Sequence, residues 1–114
     1  AGGLDISRPL ESVVFLELRR RGYTVRIGGF KDSEVDFTAV RNGVTEYFQV
    51  TQTMLSDETK AREFRAFTRI HDNFRKTILT MDRVGLGQEN GIEVANVLDW
   101  LCGDGSDNAE ICEL

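Results

Sequence analysis

Residues 34–52 read Glu34-Val-Asp-Phe-Thr-Ala-Val-Arg41, then Asn42-Gly43, then Val44-Thr-Glu-Tyr-Phe-Gln-Val-Thr-Gln52. Asn-Gly between two β-rich runs signals a two-residue hairpin, because both residues tolerate the positive φ of a type I′ turn. Alternation predicts that Val35, Phe37 and Ala39 share one face of the first strand and Phe48 and Val50 one face of the second. With Asn42 and Gly43 as the loop, Arg41 pairs with Val44, Thr38 with Tyr47, Asp36 with Gln49 and Glu34 with Thr51. Opposed Cβ atoms lie about 4.5–5.5 Å apart, so Asp36 and Gln49 can touch one shared ligand. A slip of one residue would send one of them to the other face.

Upstream, Pro9 suits a first helical turn. The predicted helix runs from Pro9 to Arg21 with Gly22 as its C-cap. Glu11, Val14, Phe15 and Leu18 fall on one stripe of it, which places a carboxylate among apolar side chains. Tyr23 to Ile27 reads as a strand ended by Gly28-Gly29.

Downstream of the hairpin, Ser56 or Asp57 caps a second helix over Glu58–His71. Phe64, Phe67 and Ile70 lie on its apolar side, and Arg62, Arg65 and Arg69 on the opposite side. Lys76–Thr80 reads as a strand, 82–91 as a Gly-rich loop and Ile92–Val97 as a last strand before a short helix from Leu98. The Gly85-Leu86-Gly87 within that loop lacks the strand–helix context of a phosphate loop. The order is helix, three strands, helix, two strands and a final helical turn. It predicts an α/β domain with a mixed sheet covered on both faces. The core expected from these patterns is Phe37, Phe48, Val50, Val14, Leu18, Phe64 and Phe67.

A chain of 114 residues, 40% hydrophobic and 29% charged, suits one small globular domain. Residues 1–102 form the expected domain and 103–114 an acidic tail, with 1–7 as a lead-in. Opening on Ala1-Gly2-Gly3 without Met, the chain reads as a fragment of something larger or a processed product. No run approaches the roughly 20 apolar residues of a membrane span, and no signal peptide opens the chain, so the expectation is a cytoplasmic protein with no membrane partner.

The net charge of −5 is unevenly spread: residues 1–81 hold 13 Lys/Arg against 11 Asp/Glu, and residues 82–114 hold 1 against 8. That excludes a general nucleic-acid coat but leaves the folded part mildly basic. Cys102 and Cys112, with no His nearby, make no metal motif and read as reduced thiols.

Three polar positions converge on this plan: Glu11 on the first helix, Asp36 on the central strand and Gln49 opposite it. A helical Glu, the Asp ending Glu34-Val-Asp36, and Gln49-Val50-Thr51 where Glu-x-Lys would stand resemble the restriction-endonuclease-like superfamily, the PD-(D/E)xK nucleases. The chain is closer still to a domain at the C-terminal end of many archaeal and bacterial AAA-type ATPases. That similarity takes in LESVVFLELRRRGYTV, EVDF, YFQVTQTM, REFRAFTRIHDNFRK and GIEVANVLDWL, most of the chain.

The resemblance implies an αβββαβ core with a further strand, and Mg²⁺-assisted hydrolysis of phosphodiesters. It implies Asp36, Gln49 and Glu11 as metal-binding positions, and Glu11, Asp36, Gln49 and Thr51 as the catalytic set. Mg²⁺ takes oxygen ligands, commonly one or two carboxylates plus water. Gln49 offers only a neutral amide oxygen. Thr51 carries no cation where the family has Lys to orient water and offset phosphate charge. Lys60 or Arg62 is a candidate substitute, and Lys60, Arg62, Arg65 and Arg69 are candidate phosphate contacts.

Three readings follow. The first is a degenerate nuclease-fold module that binds DNA or RNA, or regulates an AAA-type ATPase domain in the same full-length chain. The second is a working Mg²⁺-dependent nuclease with a variant motif. The third is a structural or homodimerising domain.

Overall fold

The computed structural model describes residues 9–28, 35–68 and 70–103. Expectations for the lead-in, for Glu34, for the Arg69 side chain, for Cys112 and for the tail beyond Gly103 lie outside those residues. The elements are α1 (Pro9–Arg20), β1 (Thr24–Ile27), β2 (Phe37–Arg41), β3 (Val44–Thr51), α2 (Asp57–Arg65), β4 (Arg75–Thr80), β5 (Gly87–Glu89), β6 (Ile92–Asn96) and α3 (Val97–Cys102). They build one six-stranded sheet in the order β1-β2-β3-β4-β6-β5. β1, β2 and β3 form an antiparallel meander. β3, β4 and β6 are parallel neighbours, and β5 returns antiparallel to β6. This is an α/β fold with a mixed sheet and helices packed against it. No helix among the described residues is long and apolar enough to cross a membrane.

Local chemistry sets the boundaries. Gly22, at φ +93°, closes α1. Its N–H donates to Arg19 O and the Tyr23 N–H to Leu18 O, the paired bonds of a Schellman motif. Asn42 and Gly43 both adopt positive φ, 54° and 79°, and the register pairs Arg41 with Val44, Thr38 with Tyr47 and Phe37 with Phe48. Ser56 caps α2, its hydroxyl accepting the Thr59 N–H at 3.1 Å. A parallel β3–β4 pair needs a crossover, and α2 supplies it.

Two apolar layers flank the sheet. Val14 and Leu18 of α1 pack on Phe37, Ala39, Phe48, Val50, Leu79 and Val97. On the other face Met54 and Phe67 pack on Ile78, Ile92 and Val94, with Phe64 half-buried at the margin. Val35 belongs to this second layer, not with Phe37 and Ala39 as alternation predicts. The chain bends at Asp36, outside β2, and the bend breaks the period of two.

Four further expectations are corrected. The segment 82–91 contains β5, joined to β6 by a second Asn-Gly turn with Asn90 at φ 55° and Gly91 at 78°. The helix expected to reach His71 ends at Arg65, because the chain tightens there into bonds three residues apart. Ala66, Phe67 and Thr68 donate to Glu63, Phe64 and Arg65 carbonyls, and the Thr68 hydroxyl takes Arg65 O as well. Val97 starts α3 instead of ending a strand, since the Asn96 side chain accepts the Leu98 and Asp99 N–H groups as an N-cap. Cys102 is disulfide-bonded, not a reduced thiol. A count of two cysteines does not separate those states.

Candidate functional site

The mixed topology leaves a cleft of about 600 Å³ where β3 ends, walled by the first turn of α1 on one side and by α2 on the other. Pro9, Leu10 and Glu11 come from α1, Asp36 from the bend before β2, and Gln49 to Thr53 from β3 and its exit. Thr59, Arg62 and Glu63 come from α2. Glu11, Asp36, Gln49 and Thr51, named from the sequence, therefore all line one space.

Their chemistry differs from the expectation in detail. Asp36 and Gln49 face each other at the end of the hairpin and replace ladder bonds with side-chain bonds. The Asp36 N–H donates to Gln49 Oε1 at 2.9 Å, and Asp36 Oδ2 accepts the Val50 N–H at 3.0 Å. The Asp36 carbonyl accepts from Gly28 N–H on the β1 side at 2.9 Å. Gln49, expected to offer its amide oxygen to a metal, accepts the Asp36 N–H on that oxygen, which has a second lone pair. Thr51 sits on β3 paired with Thr80 and donates its hydroxyl to Thr53 O at 3.2 Å. Glu11 is only 5% exposed, so the carboxylate inside the α1 stripe is indeed turned inward.

The candidate phosphate contacts separate. Arg62 lines the cleft, 62% exposed, with its Nε 3.9 Å from Glu63 Oε2. Lys60 is engaged elsewhere, bonded to Glu89 of β5 at 3.0 Å and lying over the Phe64 ring. Arg65 is exposed. The structure thus brings Arg62 to the carboxylates and leaves Lys60 outside the lining.

Glu63 is the residue the sequence reading missed. It is 8% exposed, and its Oε1 makes no hydrogen bond among the described residues. Burial pushes its carboxyl above the usual range; the Gln49 amide opposes the rise by hydrogen bonding, the Asp36 charge adds to it and Arg62 counters it. A signal existed: at 100° per residue Glu63 falls between Phe67 and Ile70 on the apolar side of the helix, the same anomaly that marks Glu11.

The cleft therefore sets Glu11, Asp36 and Glu63 against Arg62. The Asp36 charge acts on Glu63, and carboxylates that line one partly buried space disfavour a phosphate that enters it. A bound cation would reverse that sign. Among the described residues no three His, Cys, Asp or Glu side chains are drawn to ligating distance of one point.

Among known proteins, the chain is 34% identical over 99 residues to an uncharacterized protein of Haemophilus influenzae. The match covers 87% of this chain and 24% of that protein, so the chain spans about a quarter of the length of the curated relative it matches. No family model and no solved structure matches.

Proposed function

We propose that this chain is a restriction-endonuclease-like domain of the PD-(D/E)xK type. It binds the phosphate backbone of DNA or RNA at the cleft and has lost most of its hydrolytic power. It serves as a binding or regulatory module beside an AAA-type ATPase. The order α1-β1-β2-β3-α2-β4 supports this reading, matching the αβββαβ succession that the resemblance implies. So does the placing of Glu11, Asp36, Gln49 and Thr51 around one cleft. The match to a quarter of a longer Haemophilus protein is compatible with a module joined to other parts in that protein.

The observation that carries the loss of catalysis is the state of the two departing positions. Gln49 is a neutral amide whose Oε1 accepts the Asp36 N–H, and Thr51 is a hydroxyl that donates to Thr53 O. Neither brings the charge that the family motif brings there. Bound between carboxylates, a divalent ion would supply the positive charge that attracts a phosphate oxygen. Glu11 and Asp36 hold negative charge for it, and Arg62 at the rim meets a second phosphate oxygen. The test is binding of a labelled oligonucleotide with Mg²⁺ or with chelator, at two salt concentrations. Binding that needs the ion and weakens with salt supports the proposal, since phosphate contacts release counterions. Equal binding without the ion, or none at low salt, overturns it.

A working Mg²⁺-dependent nuclease is the second reading, and Arg62 favours it. This guanidinium lines the same cleft as Asp36 and could take over the missing lysine's neutralising role. Metal-dependent cleavage lost in Arg62→Ala would select it.

A further inference from the structure

We propose that Glu63, from α2, is a ligand of the divalent cation in this cleft, filling the carboxylate place that Gln49 leaves neutral, with Asp36 as its companion ligand and Gln49 as the positioning residue between them. The proposal rests on the cation-binding reading above and adds to it a residue from a different element.

Glu63 is buried to nine-tenths, and its Oε1 has no hydrogen-bond donor among the described residues, although the residue lines a cleft of about 600 Å³. Leaving a buried carboxylate oxygen unsatisfied is costly, and such atoms persist in native folds where something else completes them. Structural burial alone does not account for it. An apolar side chain at this position would extend the Phe67 layer without the desolvation cost. The neighbours argue for a cation over an anion or a neutral ligand: Asp36 and Glu11 line the same space, and Arg62 reaches Glu63 only at 3.9 Å.

Gln49 fits between the two acids for a definite reason. Its amide oxygen accepts the Asp36 N–H at 2.9 Å, which leaves its donor side for the Glu63 carboxylate. A carboxylate at position 49 could accept from Asp36 but not donate to Glu63, and would repel it. The amide at 49 and the acid at 63 are thus complementary, with the negative charge moved from the strand to the helix. Mg²⁺ or Mn²⁺ bound by one or two carboxylates and several waters matches acids set apart across a cleft.

The test measures Mn²⁺ binding to the full 114-residue chain, by calorimetry and by the loss of the free-ion paramagnetic resonance signal. The variants are Glu63→Gln, Asp36→Asn and the exchange Gln49→Glu/Glu63→Gln, each checked for folding by circular dichroism. Glu63→Gln is expected to weaken binding at least about tenfold, the lower end of what even an outer-shell change costs a metal site. The exchange variant is expected to recover most of that loss, which a merely structural role for Glu63 would not produce. If the unaltered chain binds no Mn²⁺, the cation reading and this proposal fall together. If binding is lost in Asp36→Asn but untouched in Glu63→Gln, the cleft keeps its cation and Glu63 is not a ligand. Weakening in Glu63→Gln without recovery in the exchange variant also overturns the proposed division of roles.

Discussion

Asp36 and Gln49 hold the open end of the hairpin shut by trading side-chain for backbone bonds. The Asp36 N–H is bonded to Gln49 Oε1 and the Val50 N–H to Asp36 Oδ2, at 2.9 and 3.0 Å. Asp36→Ala should therefore destabilise the fold by about 1–3 kcal/mol, the usual cost of orphaning a part-buried donor. Asp36→Asn keeps an acceptor oxygen and should cost clearly less. Urea titration of the two variants checks this, and equal losses would show that the carboxylate's charge, not its hydrogen bond, supports the hairpin.

Glu63 should carry a stability penalty that a functional acid tolerates and a structural one does not. Its folded-state pKa is raised from 4.5 by burial first. Its contribution is thus fully present below 4.5 and lost as pH rises through the folded value. In chelator, Glu63→Gln should make the protein more stable than the unaltered chain at pH 7, and the difference should vanish below about pH 4.5. Thermal melts across that range measure it. A variant less stable at pH 7 would mean that the charged Glu63 supports the fold.

Glu17 shows the opposite sign. Its carboxylate takes Arg20 Nε at 2.9 Å and Arg21 Nε at 2.7 Å, while Arg21 also donates to Trp100 O and lies 4.2 Å over that ring. The Arg20 hydrogen bond chiefly holds its pKa below 4.5, against the opposing effect of burial. This support is present above 4.5 and is lost as pH falls through the lowered value. Glu17→Gln should cost about 1 kcal/mol at pH 7, since part of the pair is exposed. The cost should disappear in strong acid. A cost that persisted there would assign the effect to packing of α1 on α3.

Phe48 tests the strand faces. It is 3% exposed and packs with Phe37, Val50 and the Trp100 ring. Phe48→Ala should cost about 3–5 kcal/mol, read from denaturant unfolding. Below about 1 kcal/mol, the burial would not be realised in solution.

The hairpin is legible in the sequence because Asn42-Gly43 fixes the turn chemistry and the flanking alternation fixes the register. The same dipeptide at Asn90-Gly91 carries less: Gly87, Gln88 and Glu89 are exposed and polar, so no alternation announces β5. Val35 is buried as its type suggests, yet it joins the opposite layer across the bend at Asp36, where the side-chain bonds link residues 13 and 14 positions apart and so are not visible in the local pattern. In the site, Glu11, Asp36 and Gln49 are legible by position, while the direction of the Gln49 amide is a tertiary property. Glu63 could have been found by the test that found Glu11. It is masked by the neighbouring Arg62 and by the expectation that Phe64, Phe67 and Ile70 make up the inward side of the helix.

The unmodified chain should show little or no nuclease activity. On the nuclease-fold reading proposed above, Asp36, Glu11 and Glu63 would supply negative charge for an ion, but Thr51 stands where the PD-(D/E)xK motif has lysine, and its hydroxyl is bonded to Thr53 O at 3.2 Å. A donor aimed at charge developing in a transition state is worth about 2.7–4 kcal/mol, or 10²–10³ in rate. Thr51→Lys places an ammonium on the same lining and should raise metal-dependent cleavage by a comparable factor, most visibly with Mn²⁺. Single- and double-stranded DNA and RNA, incubated with either ion and with chelator, are the substrates that decide it. Robust cleavage by the unmodified chain that vanishes in Asp36→Asn would replace the degenerate reading with the working-nuclease one, and its further loss in Arg62→Ala would assign the missing cation's role to Arg62.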